Sequence, residues 1–139
     1  ENGNSVAKKV EAASYFVDAK MAESEDRSIE GVLAARLCTA CTGKVNEKSS
    51  SAASSYIKQI ARCCSKKEGF IDPAMPLQEI VCRIMLSRRN RPTLLSDLHY
   101  QLTEKWATPM RPINISQEAL SKILDADTYY GFSRLDPSR

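Results

Sequence analysis

Histidine and glycine are scarce in this chain, and their scarcity excludes several kinds of catalytic site. The 139 residues include one histidine, His99, and five glycines at scattered positions. Loops that cradle phosphate need several glycines close together, and the sequence has no such cluster. No serine or cysteine nucleophile stands at a recognisable spacing from His99, which lies in a predicted helix. The sequence therefore predicts a protein that is not an enzyme.

Long apolar runs and an excess of one charge are also missing. No stretch approaches the roughly 20 apolar residues that a membrane-spanning helix needs. Basic residues number 20 and acidic residues 17, unlike the balance of a protein that coats nucleic acid without sequence preference. We expect neither a membrane nor a small-molecule substrate among the partners, and any contact with nucleic acid to be local.

The cysteines are odd in number and spread over segments with helical patterns. They are Cys38, Cys41, Cys63, Cys64 and Cys82, which do not suggest a disulfide framework and predict reduced thiols in the nucleus or cytoplasm. Cys38 and Cys41 have the C-x-x-C spacing of zinc and redox sites, and Cys63 with Cys64 would complete four thiolates. Because both pairs lie in apolar stripes of predicted helices, the sequence favours packing over zinc or redox chemistry. We expect no metal and no cofactor.

Apolar residues recur at intervals of three or four in the first half of the chain, which predicts three helices. Their patterns run from Val6 to Met21, from Ile29 to Cys41 and from Ala53 to Cys64. Three such helices pack naturally as an antiparallel bundle. Two prolines shortly after Asp72 predict a boundary there, with a helical bundle over residues 1–72 and a second unit over residues 73–139.

The second half predicts three further helices and a strand. The helical patterns run from Leu77 to Met85, from Leu94 to Trp106 and, after a cap at Asn114 or Ser116, from Ala119 to Leu124. Strand-forming residues then run from Thr128 to Leu135. The predicted fold is mainly α.

The order of these elements from Met75 to Leu135 resembles a winged-helix domain. The segment is similar to the C-terminal, MCM-binding domain of the DNA replication licensing factor. The similarity lies in Glu79 to Leu86, the basic connector Ser-Arg-Arg-Asn-Arg-Pro, a leucine-rich helix and Ile115 to Glu118. The resemblance implies a non-catalytic module that holds a partner protein in a nuclear DNA-handling or replication assembly. A wing also needs a returning strand, which is missing before residue 139, so we expect a short, incomplete β wing.

The last predicted helix favours a protein partner over DNA. Between Ser116 and Asp127 it has three acidic residues, one lysine and no arginine to pair with guanine edges. Aromatic residues follow it, and such residues often anchor protein interfaces. The predicted protein-binding residues are Glu118, Lys122, Asp125, Tyr129, Tyr130 and Phe132. The alternative is that the aromatic residues only close the core.

A basic cluster supports a second hypothesis, in which the winged helix binds nucleic acid. Arg88, Arg89 and Arg91 lie in the connector between the fourth and fifth helices, and Lys105 and Arg111 are possible neighbours. These five residues would contact the phosphate backbone, which makes affinity strongly dependent on salt. A solvated connector explains the arginines equally well.

Overall fold

The computed structural model describes residues 12–24, 29–42 and 52–136. Helices form most of its regular structure, as the sequence predicts. The helices are α1 (Ala19–Ser24), α2 (Glu30–Ala34), α3 (Ala52–Arg62), α4 (Leu77–Ser87), α5 (Leu95–Tyr100, continued as a π-helix over Gln101–Lys105) and α6 (Gln117–Ala126). Short 3-10 turns cover Thr39–Cys41 and Cys64–Lys66. None of the helices within this part of the chain has both the length and the apolar character to cross a membrane.

Three short strands form one antiparallel sheet, β1 (Ser14–Val17), β2 (Thr93–Leu94) and β3 (Phe132–Leu135). Their order is β2-β1-β3, so the strand that comes first in the chain lies in the middle. Ser14 is opposite Leu94 on one side and Leu135 on the other. The sheet therefore joins the beginning of the described chain to its end.

The prediction of a helix from Val6 to Met21 is wrong over Ser14–Val17, which is β1. Two of its supporting residues, Val6 and Val10, lie outside the described residues. Within β1, residues alternate between partly exposed and buried, and Tyr15 and Val17 face the core. A period of two residues is typical of a strand. The segment is a strand despite its helical spacing of apolar residues because β1 pairs with another strand on each of its two edges. After β1, the chain is helical again from Ala19, in the short α1.

The predicted second and third helices are shorter than their apolar patterns. The second ends at Ala34, and the chain then leads through a turn at Ala35 and Arg36 and an extended Cys38 to the 3-10 turn at Thr39–Cys41. The third ends at Arg62, just before the 3-10 turn at Cys64–Lys66. The cysteines expected inside two helices consequently lie on turns beyond the helix ends.

The predictions for the second half are closer to the structure. Helix α4 covers its predicted pattern, and Ser116 caps α6 by accepting a hydrogen bond from the Ala119 N–H. The predicted fifth helix begins later than expected, because Thr93 and Leu94 pair with β1. The predicted final strand is confirmed over Phe132–Leu135.

One apolar core draws on both sides of the predicted boundary at Asp72. Its fully buried side chains include Leu33 and Ile60 before that residue, and Ile80, Leu98 and Leu124 after it. The described halves of the chain therefore share buried surface as well as the sheet.

Candidate functional sites

The outer face of α6 is where the sequence predicts a protein-binding surface. Glu118 and Lys122 are exposed on it, as predicted. Asp125 is exposed too, but its carboxylate accepts a hydrogen bond of 2.7 Å from the Tyr15 hydroxyl and lies 3.4 Å from the Arg134 guanidinium. Burial raises the pKa of Tyr15 to about 12, so its hydroxyl keeps the proton that it donates. Asp125 thus has a structural role in holding β1 against α6.

Of the three aromatic residues predicted to bind a partner protein, one lies at the surface and two lie in or against the core. Tyr129 is 53% exposed, whereas Phe132 is 5% exposed and belongs to the core. Tyr130 stacks on Phe132 with ring centroids 5.3 Å apart, and its hydroxyl donates a 2.7 Å hydrogen bond to Glu79. Tyr130 and Phe132 therefore close the core. Tyr129 is the most exposed of the three, and its ring packs edge-on against Tyr130 and lies 5.7 Å from the Arg36 guanidinium.

The five predicted phosphate-binding residues do not form one free basic surface. Arg88 is paired with Asp97 at 2.5 Å, and Arg111 donates hydrogen bonds to the backbone carbonyls of Pro73 and Met75. Lys105 is exposed with its ammonium 5.4 Å from the centre of the Trp106 ring. The remaining two, Arg89 and Arg91, are exposed. Part of the predicted basic cluster is thus engaged within the protein.

The connector that carries these arginines is shaped by Asn90, which the sequence analysis did not single out. Arg89 and Asn90 both have left-handed backbone conformations, with φ of 61° and 60°. The Asn90 side chain accepts a hydrogen bond from the Val17 N–H and donates one to the Val17 carbonyl, each 2.8 Å long. Asparagine tolerates the left-handed region better than most residues. The connector is therefore attached to the end of β1.

A buried ion network links α2, α4 and the segment before β3. Arg36 and Glu79, each 8% exposed, are joined by two hydrogen bonds of 2.5 and 3.0 Å. Arg83 adds a third contact to the Glu79 carboxylate at 2.6 Å, and the Tyr130 hydroxyl a fourth. Burial raises the pKa of Glu79, but the hydrogen bonds from Arg36, Arg83 and Tyr130 outweigh it and lower the pKa to about 2. The network lies across the predicted boundary at Asp72.

Three thiols meet where the two short 3-10 turns face each other. The Sγ atoms of Cys38, Cys41 and Cys63 all lie within 4.8 Å of one another, and those of Cys38 and Cys63 are 3.9 Å apart. Within residues 12–24, 29–42 and 52–136 no disulfide links these cysteines. The C-x-x-C spacing makes these residues possible ligands, but their helical patterns predict simple packing.

Hydrogen-bond donors surround this thiol cluster. The Gln59 side-chain amide donates to Cys41 Sγ at 2.9 Å, and the Cys38 N–H donates to Cys64 Sγ at 3.1 Å. The hydrogen bond from Gln59 lowers the pKa of Cys41 to about 7. Burial raises the pKa of Cys64 to about 12, and the neighbouring thiol of Cys41 raises that of Cys63. Cys41 is therefore the thiol with the strongest local support for its anion.

His99 has a structural contact in this fold. Its Nε2 atom lies 2.6 Å from the backbone carbonyl oxygen of Ile115, which connects α5 to the segment before α6.

No protein-family model, curated protein or solved structure matches the chain. The function is accordingly inferred from the surfaces and clusters described above.

Proposed function

We propose that this chain is a non-catalytic interaction module, winged-helix-like in its second half, that binds a partner protein. The observation that carries the proposal is the outer face of α6, where Glu118 and Lys122 are exposed and no arginine occurs from Gln117 to Ala126. The Tyr129 side chain, which is 53% exposed, comes shortly after this helix in the chain. A mixed-charge helix face with an aromatic anchor suits a protein surface better than a DNA groove.

The sheet supports the winged-helix-like part of the proposal. In sequence, α4, β2, α5, α6 and β3 follow the order of a winged helix up to its first wing strand. Strand β1 lies between β2 and β3, the place that the returning strand of a wing would occupy. We propose that β1 completes the sheet of the wing from the other end of the chain. The resemblance to the MCM-binding domain of the licensing factor extends the proposal to a nuclear DNA-handling or replication assembly.

Binding to the nucleic-acid backbone is the second candidate, and the exposed Arg89 and Arg91 favour it. Arg88 and Arg111 are engaged in contacts within the protein, so fewer basic residues are available to bind phosphates and the expected affinity for nucleic acid is lower. With three phosphate contacts, from Arg89, Arg91 and Lys105, affinity should fall roughly 40-fold between about 50 and about 200 mM salt. Five contacts would give a loss of roughly 500-fold over the same range.

A titration against labelled duplex and single-stranded DNA at these two salt concentrations tests the choice between partners. The variant Arg89→Ala/Arg91→Ala/Lys105→Ala removes the exposed basic residues, and Glu118→Ala/Lys122→Ala is the matched control on α6. We expect no binding tighter than roughly the micromolar range of non-specific contacts, in wild type or in either variant. Tight, salt-sensitive binding that only the basic variant loses would establish the second candidate instead.

The α6 surface is tested by comparing partners captured by wild type and by Glu118→Lys/Tyr129→Ala. Both residues are exposed, but Tyr129 also packs against Tyr130 and Arg36, so we expect a small fall in melting temperature with the fold retained. We expect the variant to lose a captured protein that the basic variant Arg89→Ala/Arg91→Ala/Lys105→Ala retains. An identical set of captured proteins for wild type and both variants would contradict the proposed surface.

A further inference from the structure

The thiol cluster has the dimensions of a metal site. A tetrahedral zinc ion with Zn–S bonds of about 2.3 Å needs sulfur atoms about 3.8 Å apart. Cys38 and Cys63 meet that spacing with their 3.9 Å separation, and Cys41 completes a triangle whose sides are all within 4.8 Å. A disulfide would need about 2.05 Å between sulfurs. The three thiols are thus close enough to share one ion and too far apart to be bonded to each other.

Cys64 is placed to supply a fourth sulfur. It is 1% exposed and follows Cys63 directly in the chain, outside the triangle formed by the other three sulfurs. Its Sγ accepts the Cys38 N–H at 3.1 Å, as the Sγ of Cys41 accepts the Gln59 amide. Such donors stabilise the negative charge of sulfur ligands and orient them, which is the usual task of groups around a metal site.

The local backbone removes the main objection to a metal. The sequence favours packing because all four cysteines fall in apolar stripes of predicted helices. In the structure, Cys38 and Cys41 bracket the 3-10 turn at Thr39–Cys41, and Cys63 and Cys64 lie where α3 passes into the turn at Cys64–Lys66. One turn presents the sulfurs of Cys38 and Cys41 and the other presents that of Cys63, and ligands carried on tight turns are typical of a structural zinc site.

We propose that Cys38, Cys41, Cys63 and Cys64 bind one Zn²⁺ ion that joins the turn after α2 to the end of α3. Soft sulfur ligands, three of which already lie within 4.8 Å of one another, favour Zn²⁺ over the harder divalent ions. Four thiolates leave no open coordination position, so the site is structural and does not activate water. Binding releases the protons of the thiols, and affinity therefore falls as the pH is lowered.

Metal content of the purified full chain is the first test, with the protein produced in zinc-supplemented medium and kept reduced without chelators. We expect about one equivalent of zinc per chain, since structural sites are normally filled. Cys41→Ser should abolish stoichiometric zinc, whereas the control Cys82→Ala should retain it, because Cys82 is a buried thiol outside the cluster. A chelator should lower the melting temperature of wild type and of Cys82→Ala.

Cobalt substitution keeps the proposal testable even if Cys41→Ser fails to fold. Wild-type protein loaded with Co²⁺ should show thiolate-to-cobalt charge-transfer absorption in the near ultraviolet and the intense visible bands of a tetrahedral site. Cys64→Ser should lower the charge-transfer intensity by roughly a quarter, as one of four sulfur ligands is lost. An undiminished intensity would overturn the assignment of Cys64.

Two results would overturn the metal site as a whole. One is wild-type protein with less than about 0.2 equivalents of zinc and no tetrahedral cobalt spectrum. The other is a disulfide between Cys38 and Cys63 in freshly purified, metal-free protein that binds no zinc after reduction. In either case the cysteines would be packing or redox-active thiols.

Discussion

Substituting glutamine for Glu79 is expected to lower the free energy of unfolding by about 3 kcal/mol at pH 7. The change keeps the shape of the side chain but removes its charge, so that Arg36, 8% exposed, loses its buried ionic partner. Removing one member of a buried ion pair typically costs about 3–5 kcal/mol. An independent value follows from the pKa of Glu79, which lies at about 2 against an ordinary 4.5. At about 1.36 kcal/mol for each pKa unit, this difference also amounts to about 3 kcal/mol.

The same substitution should change how stability depends on pH. Because the pKa of Glu79 is lower in the folded state than in the unfolded state, its contribution is complete above about pH 4.5 and declines as the pH falls towards about 2. The difference between wild type and Glu79→Gln should therefore shrink to about half by pH 3.

Urea denaturation at pH 7, 5 and 3, followed by far-ultraviolet circular dichroism, measures both effects. The matched control is Glu118→Gln, which removes an exposed carboxylate and should change stability by no more than about 0.5 kcal/mol. A loss below about 1 kcal/mol for Glu79→Gln at pH 7 would refute the reasoning. So would a difference from wild type that stays constant down to pH 3.

Three further substitutions test local features by the same denaturation assay. Asn90→Ala removes both hydrogen bonds to Val17 and should cost about 1–3 kcal/mol, with a loss below about 0.5 kcal/mol counting against the role of Asn90. Ser116→Ala removes the cap of α6 and should cost about 1 kcal/mol, whereas Ser116→Asp should keep most of the stability. Gly131→Ala places a Cβ 3.1 Å from Ile29 Cδ1 at a φ of 75°, so a destabilised protein is expected and an unchanged one would contradict it.

The sequence predicts the local elements of the second half well because packing there agrees with helical spacing. The apolar residues of α4 recur at helical intervals, and Ser116 has the residue type and position of a cap. The prediction fails at β1, where Val17 fits the helical pattern from Val6 to Met21 but also alternates with Tyr15 as in a strand. Only the edges of β2 and β3, some 80 to 120 residues away, decide between them.

The sequence predicts which residues could form the candidate sites, but it does not predict how those residues are arranged in space. The sequence locates every cysteine of the thiol cluster, yet nothing in it ends α2 at Ala34 and puts Cys38 beyond a helix. The engagement of Arg88 and Arg111 depends on which chain segments pack beside them. The buried pair of Arg36 and Glu79 was missed because isolated charged residues in amphipathic helices are usually solvated.

The central position of β1 has a consequence for the synthesis of the protein. A chain made from its N-terminus exposes Ser14–Val17 long before Phe132–Leu135 has left the ribosome. Contacts of such large sequence separation form slowly, because a long loop must close before they are gained. The pairing of β1 with β3 is therefore expected to form late, and until then that edge of β1 is open to strands of other chains. Nascent or truncated chains that lack residues 132–135 should be the forms of this protein most prone to aggregate.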